Sequence, residues 1–405
     1  MQSKPLKRRK LDRAFWSLVG RRILPSRDVP SGALWLQAVS VGEVEVAVTF
    51  ARAIRSARPA LPILATASTP AGFDLLKRRF GDPALSPAES RPFPLDLPIS
   101  VRRFFAAARP RILVLVETEL WPVVLLEAGR RGVPVVLVNA RLSERSVGRF
   151  RALGPVARRP LAAIRHVAAR TETDAGRFLE IGVPADRVSV TGDLKYDQGE
   201  LPEPDFATEF RRLAAGRPVL VAGSLADQEV PLLLDVRERL RAAGHDLFVL
   251  LAPRRPESFG SVAEELRARG IPFTRRTVPG PDAAPEVFLL DSIGELGRSY
   301  QLGTLALLGG TFAPRGGHNV LEPLAAGLPV LHGPSISNIA ATLAACPGAT
   351  FAADGADSLA KTAGALLSDR ALRTKAAAEA EALFRANRGA AARAAALAIG
   401  LMERT

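Results

Sequence analysis

The segment RILVLVETELWPVVLLEAGRRGVPVVLVNA, residues 111–140, contains one complete strand–helix–strand unit. Its two ends, 111–117 and 134–140, hold uninterrupted runs of Val, Leu and Ile, and the residues between them, 120–131, have the pattern of a helix. An uninterrupted apolar run is typical of a strand that is buried on both faces, as in a parallel sheet covered by helices. This segment therefore predicts an α/β fold with a parallel sheet.

The same alternation continues on both sides of this segment. In the first half, further strands are predicted at 34–40, 62–68, 166–170 and 187–192, with helices at 43–57, 70–80, 98–108 and 173–182. In the second half, strands are predicted at 218–224, 246–252, 287–291, 304–310 and 329–333, and an Ala-rich helical stretch follows from 356 to about 403. Two such cycles predict two doubly wound, Rossmann-like domains.

A polar stretch separates the two cycles. KYDQGELPEPDF, residues 195–206, contains two prolines and is interpreted as a linker. The predicted domains are then 31–194 and 207–405, the second of which includes the C-terminal helices. Ligands of open α/β sheets bind beyond the carboxyl ends of the strands, so we expect the two domains to face a central cleft.

Composition limits the functions that this chain can have. With 405 residues, 47% of them hydrophobic, it can form two globular domains with large cores. The formal net charge of +14 indicates acidic partners. A phosphate-rich substrate or an anionic membrane surface fits better than nucleic acid, because no nucleic-acid-binding motif is present. Cys346 is the single cysteine and the four histidines lack metal-ligand spacing, so we expect no disulfide, no metal and no cofactor.

The N-terminal segment, residues 1–30, is basic and amphipathic. As a helix it has an apolar stripe of Leu11, Phe15, Leu18 and Val19 surrounded by Lys7, Arg8, Arg9, Lys10, Arg13, Arg21 and Arg22. Such a segment can lie in a membrane interface, and a disordered basic leader is the alternative interpretation. No run approaches the roughly 20 apolar residues that span a bilayer.

The most informative motif is GGTFAPRGGHNVLEPLAAGLPVLHGP, residues 309–334. We expect a strand to end at its first two glycines, a loop to carry Gly316 and Gly317, and a helix to begin near His318 and Asn319. Glycines let backbone N–H groups approach a ligand, and a helix N-terminus attracts phosphate. Glu322, one turn into that helix, can accept hydrogen bonds from ribose hydroxyls. A capped turn without function is the alternative, but the combination favours a nucleotide site.

In the first half, SVGEVE (40–45) follows the first predicted strand. Gly42 permits a tight turn, and Glu43 lies at the end of the strand where a helix starts. A carboxylate there is either a favourable charge in the first helical turn, worth a few tenths of a kcal/mol, or a general base. Position in the sequence leaves both interpretations open.

Two further motifs follow strands in the first half. ETELWP (117–122) places Glu117 and Glu119 on one side of an extended chain, where they can bind one polyhydroxyl or cationic group. NARLSERS (139–146) supplies Arg141 and Arg145, which suit an anionic substrate. Capping of a helix by Ser143 explains part of this motif without any function.

Three strand ends in the second half also carry candidate ligand-binding residues. Ser224 ends one predicted strand, and Arg254, which follows the next, can bind phosphate or carboxylate unless it is an ordinary surface arginine. Gly294 and Glu295 lie at a strand-to-helix turn, where backbone groups can bind a base.

Together these motifs resemble the 3-deoxy-D-manno-octulosonic acid (Kdo) transferases of lipopolysaccharide synthesis. The matches are SVGE (40–43), ETELWP (117–122), NARLSERS (139–146), TGDLKYD (191–197), GS (223–224), PR (253–254), GEL (294–296) and GGHNVLEP (316–323) with Asn338 beyond it. They occur in the family's order over about residues 34–340. The resemblance implies a GT-B fold and an inverting, metal-independent transfer of Kdo from CMP-Kdo to the lipid A precursor, lipid IVA, by an enzyme held peripherally at the cytoplasmic face of the inner membrane.

The resemblance also implies roles for individual residues. Glu43 is the general base. The acceptor-binding residues are Ser40, Gly42, Glu117, Glu119, Arg141 and Arg145. The donor-binding residues are Ser224, Arg254, Gly294, Glu295, Gly316, Gly317, His318, Asn319 and Glu322.

The sequence differs from the family pattern at several positions. Gln37 and Asp193 replace a usual His and Asn, Leu225-Ala226 replaces Thr-His, and Arg255 replaces the His of a PRH motif. Two other functions therefore remain open: a GT-B transferase that uses another nucleotide sugar, and an inactive paralogue that binds lipopolysaccharide intermediates. The presence of Glu43 favours an active enzyme.

Overall fold

The computed structural model of the protein describes residues 20, 22–24, 28–118, 120–197, 202–278 and 284–404. The chain divides into two compact units. The first consists of Met1–Gln198 together with Asn387–Thr405, and the second consists of Gly199–Ala386. The predicted apolar stripe (Leu11, Phe15, Leu18 and Val19) and the predicted site residue Glu119 lie outside the described residues.

The first unit is built on a sheet of seven parallel strands. The strands are β1 (Leu34–Ala38), β2 (Ile63–Ala67), β3 (Ala88–Pro92), β4 (Ile112–Val116), β5 (Val135–Ala140), β6 (Ile164–Ala169) and β7 (Val188–Val190). The helices among them are α1 (Val41–Ala57), α2 (Pro70–Phe80), α3 (Pro98–Ala108), α4 (Pro122–Arg130), α5 (Glu144–Leu153), α6 (Pro155–Ala162) and α7 (Glu172–Glu180). The order across the sheet, β3-β2-β1-β4-β5-β6-β7, is doubly wound.

Alternate residues of the central strands enter different cores. Leu113 and Leu115 of β4 pack with Trp35 on one face of the sheet, whereas Val114 and Val116 pack in the core on the other face. Both faces are therefore apolar, which is why the strand is an unbroken Val/Leu/Ile run in the sequence. The prediction of a parallel sheet covered on both sides is confirmed.

The second unit repeats this plan. Its strands are β8 (Val219–Leu225), β9 (Phe248–Pro253), β10 (Phe273–Arg275), β11 (Val287–Leu289), β12 (Leu305–Leu308), β13 (Val330–His332) and β14 (Thr350–Ala352). Its helices are α8 (Ala207–Ala214), α9 (Val230–Ala242), α10 (Phe259–Ala268), α11 (Leu296–Ser299), α12 (Leu321–Ala325), α13 (Ala340–Ala345), α14 (Ala356–Ser368) and α15 (Arg370–Asn387). All strands pair in parallel, in the order β10-β11-β9-β8-β12-β13-β14.

Three short strands were not predicted, and all three lie at sheet edges. β3 has the sequence AESRP and pairs only with β2, while β10 and β14 each have three residues and a single neighbour. An edge strand is only partly covered and tolerates polar residues and proline, so it lacks the apolar run on which the prediction relied.

The last helix, α16 (Ala390–Glu403), corrects the predicted domain boundary. The prediction assigned 207–405 to the second domain, but α16 belongs to the first unit. Ala394 and Ala398 lie in the core formed with α1 and β4. The small alanine side chains let α16 pack closely against these elements. Asp197 fixes the start of α16: its two carboxylate oxygens accept hydrogen bonds of 2.6 Å from the backbone N–H groups of Gly389 and Ala391.

Arg22 also has a structural role that the sequence did not indicate. In the predicted N-terminal helix this residue lies beside the apolar stripe. In the structure its Nε donates to the carbonyl oxygen of Phe93 (2.9 Å) and its Nη1 donates to that of Ser68 (3.0 Å). These carbonyls follow the ends of β3 and β2, so the guanidinium connects Arg22 to the first sheet.

Among the residues that the structure describes, no helix combines the length and the apolar composition needed to cross a membrane.

The hydrogen bonds of Asp197 give a first testable prediction. Asp197→Ala should lower the free energy of unfolding of the first unit by about 1–2 kcal/mol, the cost of losing a helix cap. Urea denaturation followed by tryptophan fluorescence measures this, because all three tryptophans precede residue 122 and belong to the first unit. The control, Asp74→Ala, removes an exposed ion pair with Lys77 and should have little effect. Equal losses in the two variants would contradict the cap.

Candidate active site

The carboxyl edge of the first sheet brings together three of the predicted residues. β1, β4 and β5 are neighbours, and they are followed by Glu43, Glu117 and Arg141 respectively. Arg141 Nε lies 2.7 Å from Glu117 Oε2. Both of these charged groups act on Glu43 electrostatically, so the three side chains form one charged cluster.

Glu43 folds back over the start of α1. Its Oε2 accepts a hydrogen bond from the backbone N–H of Val39 (2.8 Å), and its Oε1 accepts one from Ser40 Oγ (2.9 Å). Ser40 is the N-cap residue of α1, and its side chain makes no cap bond to the helix backbone. Glu43 is indeed a charged residue of the first helical turn, and the bond to Ser40 orients its carboxylate.

The surroundings of Glu43 also suit a general base. Burial raises the pKa of its carboxyl group above the usual value, and the negative charge of Glu117 raises it further. The hydrogen bonds from Val39 and Ser40 and the positive charge of Arg141 oppose this increase in pKa. A higher pKa makes a carboxylate a better proton acceptor near neutral pH. The two interpretations of Glu43 are thus compatible, and its catalytic role stays a prediction.

Glu117 is held in an uncommon conformation. It is 6% exposed and has a φ of +61°, in the left-handed region that costs a non-glycine residue of order 1–3 kcal/mol. Asn139, on the neighbouring strand β5, is fully buried with a φ of +51°. Its Oδ1 accepts a hydrogen bond of 2.9 Å from the backbone N–H of Leu194. Two adjacent strands thus end in strained polar residues, which is common at functional sites.

Lys195 completes this cluster and was not assigned a role from the sequence. Its Nζ lies 3.8 Å from Glu117 Oε1, so the buried carboxylate has a cation on each side. Its position in TGDLKYD, one of the motifs that carried the resemblance, was the only signal in the sequence.

The remaining residues of the first unit are less constrained. The tight turn expected at Gly42 is absent. Gly42 lies in the first turn of α1, and a Cβ there would have no neighbour within 4 Å. Arg145 lies on the exposed side of α5. Both are accessible, and contact with a ligand stays a prediction for each.

In the second unit, the carboxyl ends of β8, β9 and β12 adjoin. The N–H of Arg254, after β9, donates to the carbonyl oxygen of Leu225 (2.8 Å), and that of Gly309, after β12, donates to Gly223 (2.9 Å). Ser224 lies between these contacts with a φ of +57°, at a shift in the pairing of β8 with β9. Ser224, Arg254 and the loop after β12 therefore lie at one edge, as predicted.

The glycine loop does not offer the backbone donors that we expected. The N–H of Gly316 donates to Ser335 Oγ (2.9 Å), that of Gly317 to the carbonyl of Gly310 (2.9 Å), and that of His318 to the carbonyl of Gly309 (3.2 Å). The helix begins later than predicted, at Leu321, and has five residues. The prediction that these three residues offer free amide groups to a ligand is therefore wrong.

The glycines are needed for packing and for backbone conformation. Gly316 and Gly317 have φ values of +79° and +83°. A Cβ at Gly316 would lie 2.3 Å from Ser337 Oγ, and one at Gly317 would lie 2.6 Å from Ile339 Cδ1. Asn338 supports the loop by donating from Nδ2 to the carbonyl oxygen of Arg315 (2.8 Å).

The side chain of His318 is the polar group of this loop that lacks a partner. Its Nε2 is buried and has no hydrogen bond within the described structure. Burial lowers the pKa of the imidazole, the positive charges of Arg254 and Arg315 lower it further, and the charge of Glu229 opposes them. The ring is therefore neutral near pH 7 and close to the exposed guanidinium of Arg254. Such a pair can bind an anion.

The other predicted donor residues differ in their availability. Asn319 Oδ1 accepts from the N–H of Leu321 (3.2 Å). Glu322 lies in the first turn of α12; burial raises the pKa of Tyr300, and the charge of Glu322 raises it further. The carboxylate of Glu295 binds Arg276 Nη2 at 3.0 Å. In the turn before α11, Gly294 is exposed with a φ of +88°, so backbone groups are the accessible part of this turn.

In the described ranges, no group of three or more His, Cys, Asp or Glu side chains is arranged to hold a metal ion. Cys346 is a free, buried thiol.

Relatives with similar sequences share one description. The family model described as 3-deoxy-D-manno-octulosonic-acid transferase (kdotransferase) matches residues 16–198. The 3-deoxy-D-manno-octulosonic acid transferase of Haemophilus influenzae is 33% identical over 367 residues, which cover 89% of this chain and 85% of that protein. The protein of the same name from Bordetella pertussis is 35% identical over 370 residues, with 89% and 85% covered.

Solved structures share the fold at low sequence identity. The UDP-GlcNAc 2-epimerase of Neisseria meningitidis superposes with a TM-score of 0.59 at 12% identity, over 92% of this chain and 100% of that chain. A glycosyltransferase of Rickettsia africae gives a TM-score of 0.58 at 12% identity, over 93% and 97%. At this identity the likeness concerns the fold alone, and the expected GT-B fold class is confirmed.

Three of the residues that depart from the family pattern, Gln37, Leu225 and Ala226, are buried. Gln37 is fully buried: its Nε2 donates to Ser68 Oγ (2.9 Å), and its Oε1 accepts from Thr66 Oγ1 (2.6 Å). Leu225 and Ala226 are also buried, at 1% and 5% exposure. These residues fill sites inside the fold, so they pack with their neighbours without the usual histidines.

The charged cluster around Glu43 generates a second prediction. Arg141→Gln should raise the pKa of Glu43, because it removes a positive charge that stabilises the carboxylate. Glu117→Gln should lower the pKa of Glu43, because it removes a negative charge that destabilises the carboxylate. Carbon-13 NMR titration of the Glu43 carboxyl group measures both shifts. Arg145→Gln, in the same segment but without an effect on Glu43, is the control. Shifts in the opposite directions would contradict the described cluster.

Proposed function

The chain belongs to the 3-deoxy-D-manno-octulosonic acid (Kdo) transferase family, and we propose that it transfers Kdo from CMP-Kdo to the lipid A precursor, lipid IVA. As a member of this family it is a glycosyltransferase. The observation that carries the proposal is the match at 33% and 35% identity, over 89% of this chain, to two proteins named for Kdo transfer. The charged groups at the carboxyl edges of the two sheets support the roles of individual residues.

Glu43 is the general base in this proposal. The acceptor hydroxyl gives its proton to the Glu43 carboxylate while its oxygen forms a bond to the anomeric carbon of Kdo. The bond from that carbon to the phosphate of CMP breaks, and its electron pair leaves with CMP. Two features support this role: the raised pKa of Glu43 and its orientation by Ser40 and Val39. A single displacement of this kind inverts the configuration of the anomeric carbon.

Stabilisation of the departing phosphate is assigned to Arg254 and His318. The guanidinium of Arg254 is exposed at the end of β9, and His318 has a buried ring nitrogen without a hydrogen-bond partner in the described structure. A fixed cation and a fixed donor aimed at developing negative charge are the usual source of electrostatic catalysis. The turn at Gly294 and Glu295, Ser224, and the Gly316–Glu322 segment provide the remaining contacts to CMP.

The acceptor side of the proposal rests on charge. A lipid A precursor carries phosphate groups, and the chain has a net charge of +14. Arg141 is half exposed beside Glu117, and Arg145 is exposed one turn further along. These two arginines are assigned to the acceptor, with the protein peripheral at the cytoplasmic face of the inner membrane, where anionic lipid attracts a basic surface.

Mass spectrometry of the reaction product tests the whole proposal. Purified full-length protein is incubated with CMP-Kdo and a tetra-acylated disaccharide bisphosphate, and the acceptor should gain the mass of one or more Kdo residues. Parallel reactions with UDP-sugars distinguish another donor. Product formed only from a UDP-sugar would contradict the Kdo assignment, and acceptor binding without any product would indicate an inactive paralogue.

Replacing Glu43 tests the base. Glu43→Gln keeps an oxygen for the Val39 N–H but cannot take a proton, so kcat should fall by about 10²–10⁴-fold. The affinity for CMP, measured by isothermal titration calorimetry, should stay within about twofold of that of the unmodified protein, because Glu43 is not assigned a contact with the nucleotide. Glu45→Gln, on the same helix and paired with Arg79, is the matched control. Unchanged turnover in Glu43→Gln would remove this residue as the base.

Replacing Glu322 tests the assigned ribose contact. Glu322→Ala should weaken CMP binding by about 1–3 kcal/mol, the value of hydrogen bonds to a charged group. Calorimetry with CMP measures the change, and Glu381→Ala, which removes an exposed pair with Arg385, serves as the control. An affinity equal to that of the unmodified protein would exclude Glu322 from the nucleotide site.

A further inference from the structure

Glu229 is a buried carboxylate that has no role in the proposed reaction. It is 2% exposed and directly precedes α9. Its Oε2 accepts hydrogen bonds from the backbone N–H groups of Ala226 and Gly310, both at 2.8 Å. Its Oε1 accepts from Phe312 (2.9 Å) and Ala313 (3.2 Å). One side chain therefore satisfies four backbone donors.

These donors come from two different connections. Ala226 follows β8, and its neighbour Leu225 accepts the hydrogen bond from the backbone N–H of Arg254. Gly310, Phe312 and Ala313 belong to the loop after β12. Because loops are the mobile parts of a fold, a carboxylate bonded to both connections fixes the distance between them.

The loop that Glu229 holds also supports His318. The imidazole of His318 packs on Gly310 so closely that a Cβ at Gly310 would lie 2.8 Å from Nε2. The backbone of His318 bonds to Gly309, and that of Gly317 bonds to Gly310. Displacement of Gly310 therefore moves the ring whose Nε2 lacks a partner.

We propose that Glu229 is a positioning residue that sets Arg254 and His318 at the spacing needed to hold the phosphate of the nucleotide sugar. This inference rests on the proposed function. Glu229 does not touch the ligand: it lies beneath the loop, and its charge also opposes the fall in the pKa of His318 that burial and Arg254 cause. The amide of a glutamine at this position has one accepting oxygen, and its NH₂ group would face backbone N–H groups. At least one of the two connections would therefore lose its hydrogen bonds to this side chain.

The experiment compares CMP with cytidine, which lacks the phosphate. Calorimetry on the full chain should show that Glu229→Gln weakens CMP binding about tenfold or more and changes cytidine binding less than about twofold. A merely structural loss would weaken both ligands equally. Glu229→Asp keeps the charge but shortens the side chain, and it should show the same selective loss. It provides the measurement if the Gln variant does not fold.

Controls separate failure of this inference from failure of the proposed function. Glu265→Gln, which removes an exposed pair with Arg269 in the same unit, should leave both affinities unchanged. If the unmodified protein binds CMP no better than cytidine, the phosphate site and the proposed function are both overturned. If the unmodified protein prefers CMP and both Glu229 variants keep that preference, the positioning role alone is overturned.

Discussion

In each sheet every strand runs parallel to its neighbours, and this constraint determines where the chemistry of the chain can be. Parallel pairing places all carboxyl ends of a sheet at one edge, and each connection to the next helix starts there. In the first unit that edge carries Glu43, Glu117 and Arg141, and in the second it carries Ser224, Arg254 and the loop with His318. Residues far apart in the sequence therefore become neighbours without any long insertion, because a strand and a helix return the chain to the same edge.

Carboxylates at these edges bind backbone N–H groups as well as candidate ligands. Glu43 accepts from Val39, and Glu229 accepts from four amide groups around the loop after β12. Strand ends and helix starts leave N–H donors without partners, and a carboxylate satisfies them more strongly than a neutral acceptor. In Glu43 the two roles coincide, since the bonds that hold the carboxylate also orient it. In Glu229 the role is to hold other residues.

The mistaken predictions share a physical cause. Gly316 and Gly317 were expected to expose N–H groups to a ligand, but Ser335 and Gly310 accept those hydrogen bonds. Where a glycine is needed because a Cβ is not tolerated, the sequence does not say whether a ligand or another part of the chain occupies the space. The last helix, α16, was misassigned for a similar reason, since an Ala-rich helix fits several partners equally well.

The sequence by itself determined the two parallel sheets, eleven of the strands, and the family, because periodicity and ordered motifs are local properties of the chain. It also identified Glu43, Glu117, Arg141 and Arg254 as polar residues at strand ends. Only the tertiary structure decided that Lys195 joins Glu117, that Glu229 connects two loops, and that α16 packs in the first unit. Each of these depends on contacts between segments that are distant in the sequence. Local sequence patterns do not identify such partners, which become neighbours only when the chain folds.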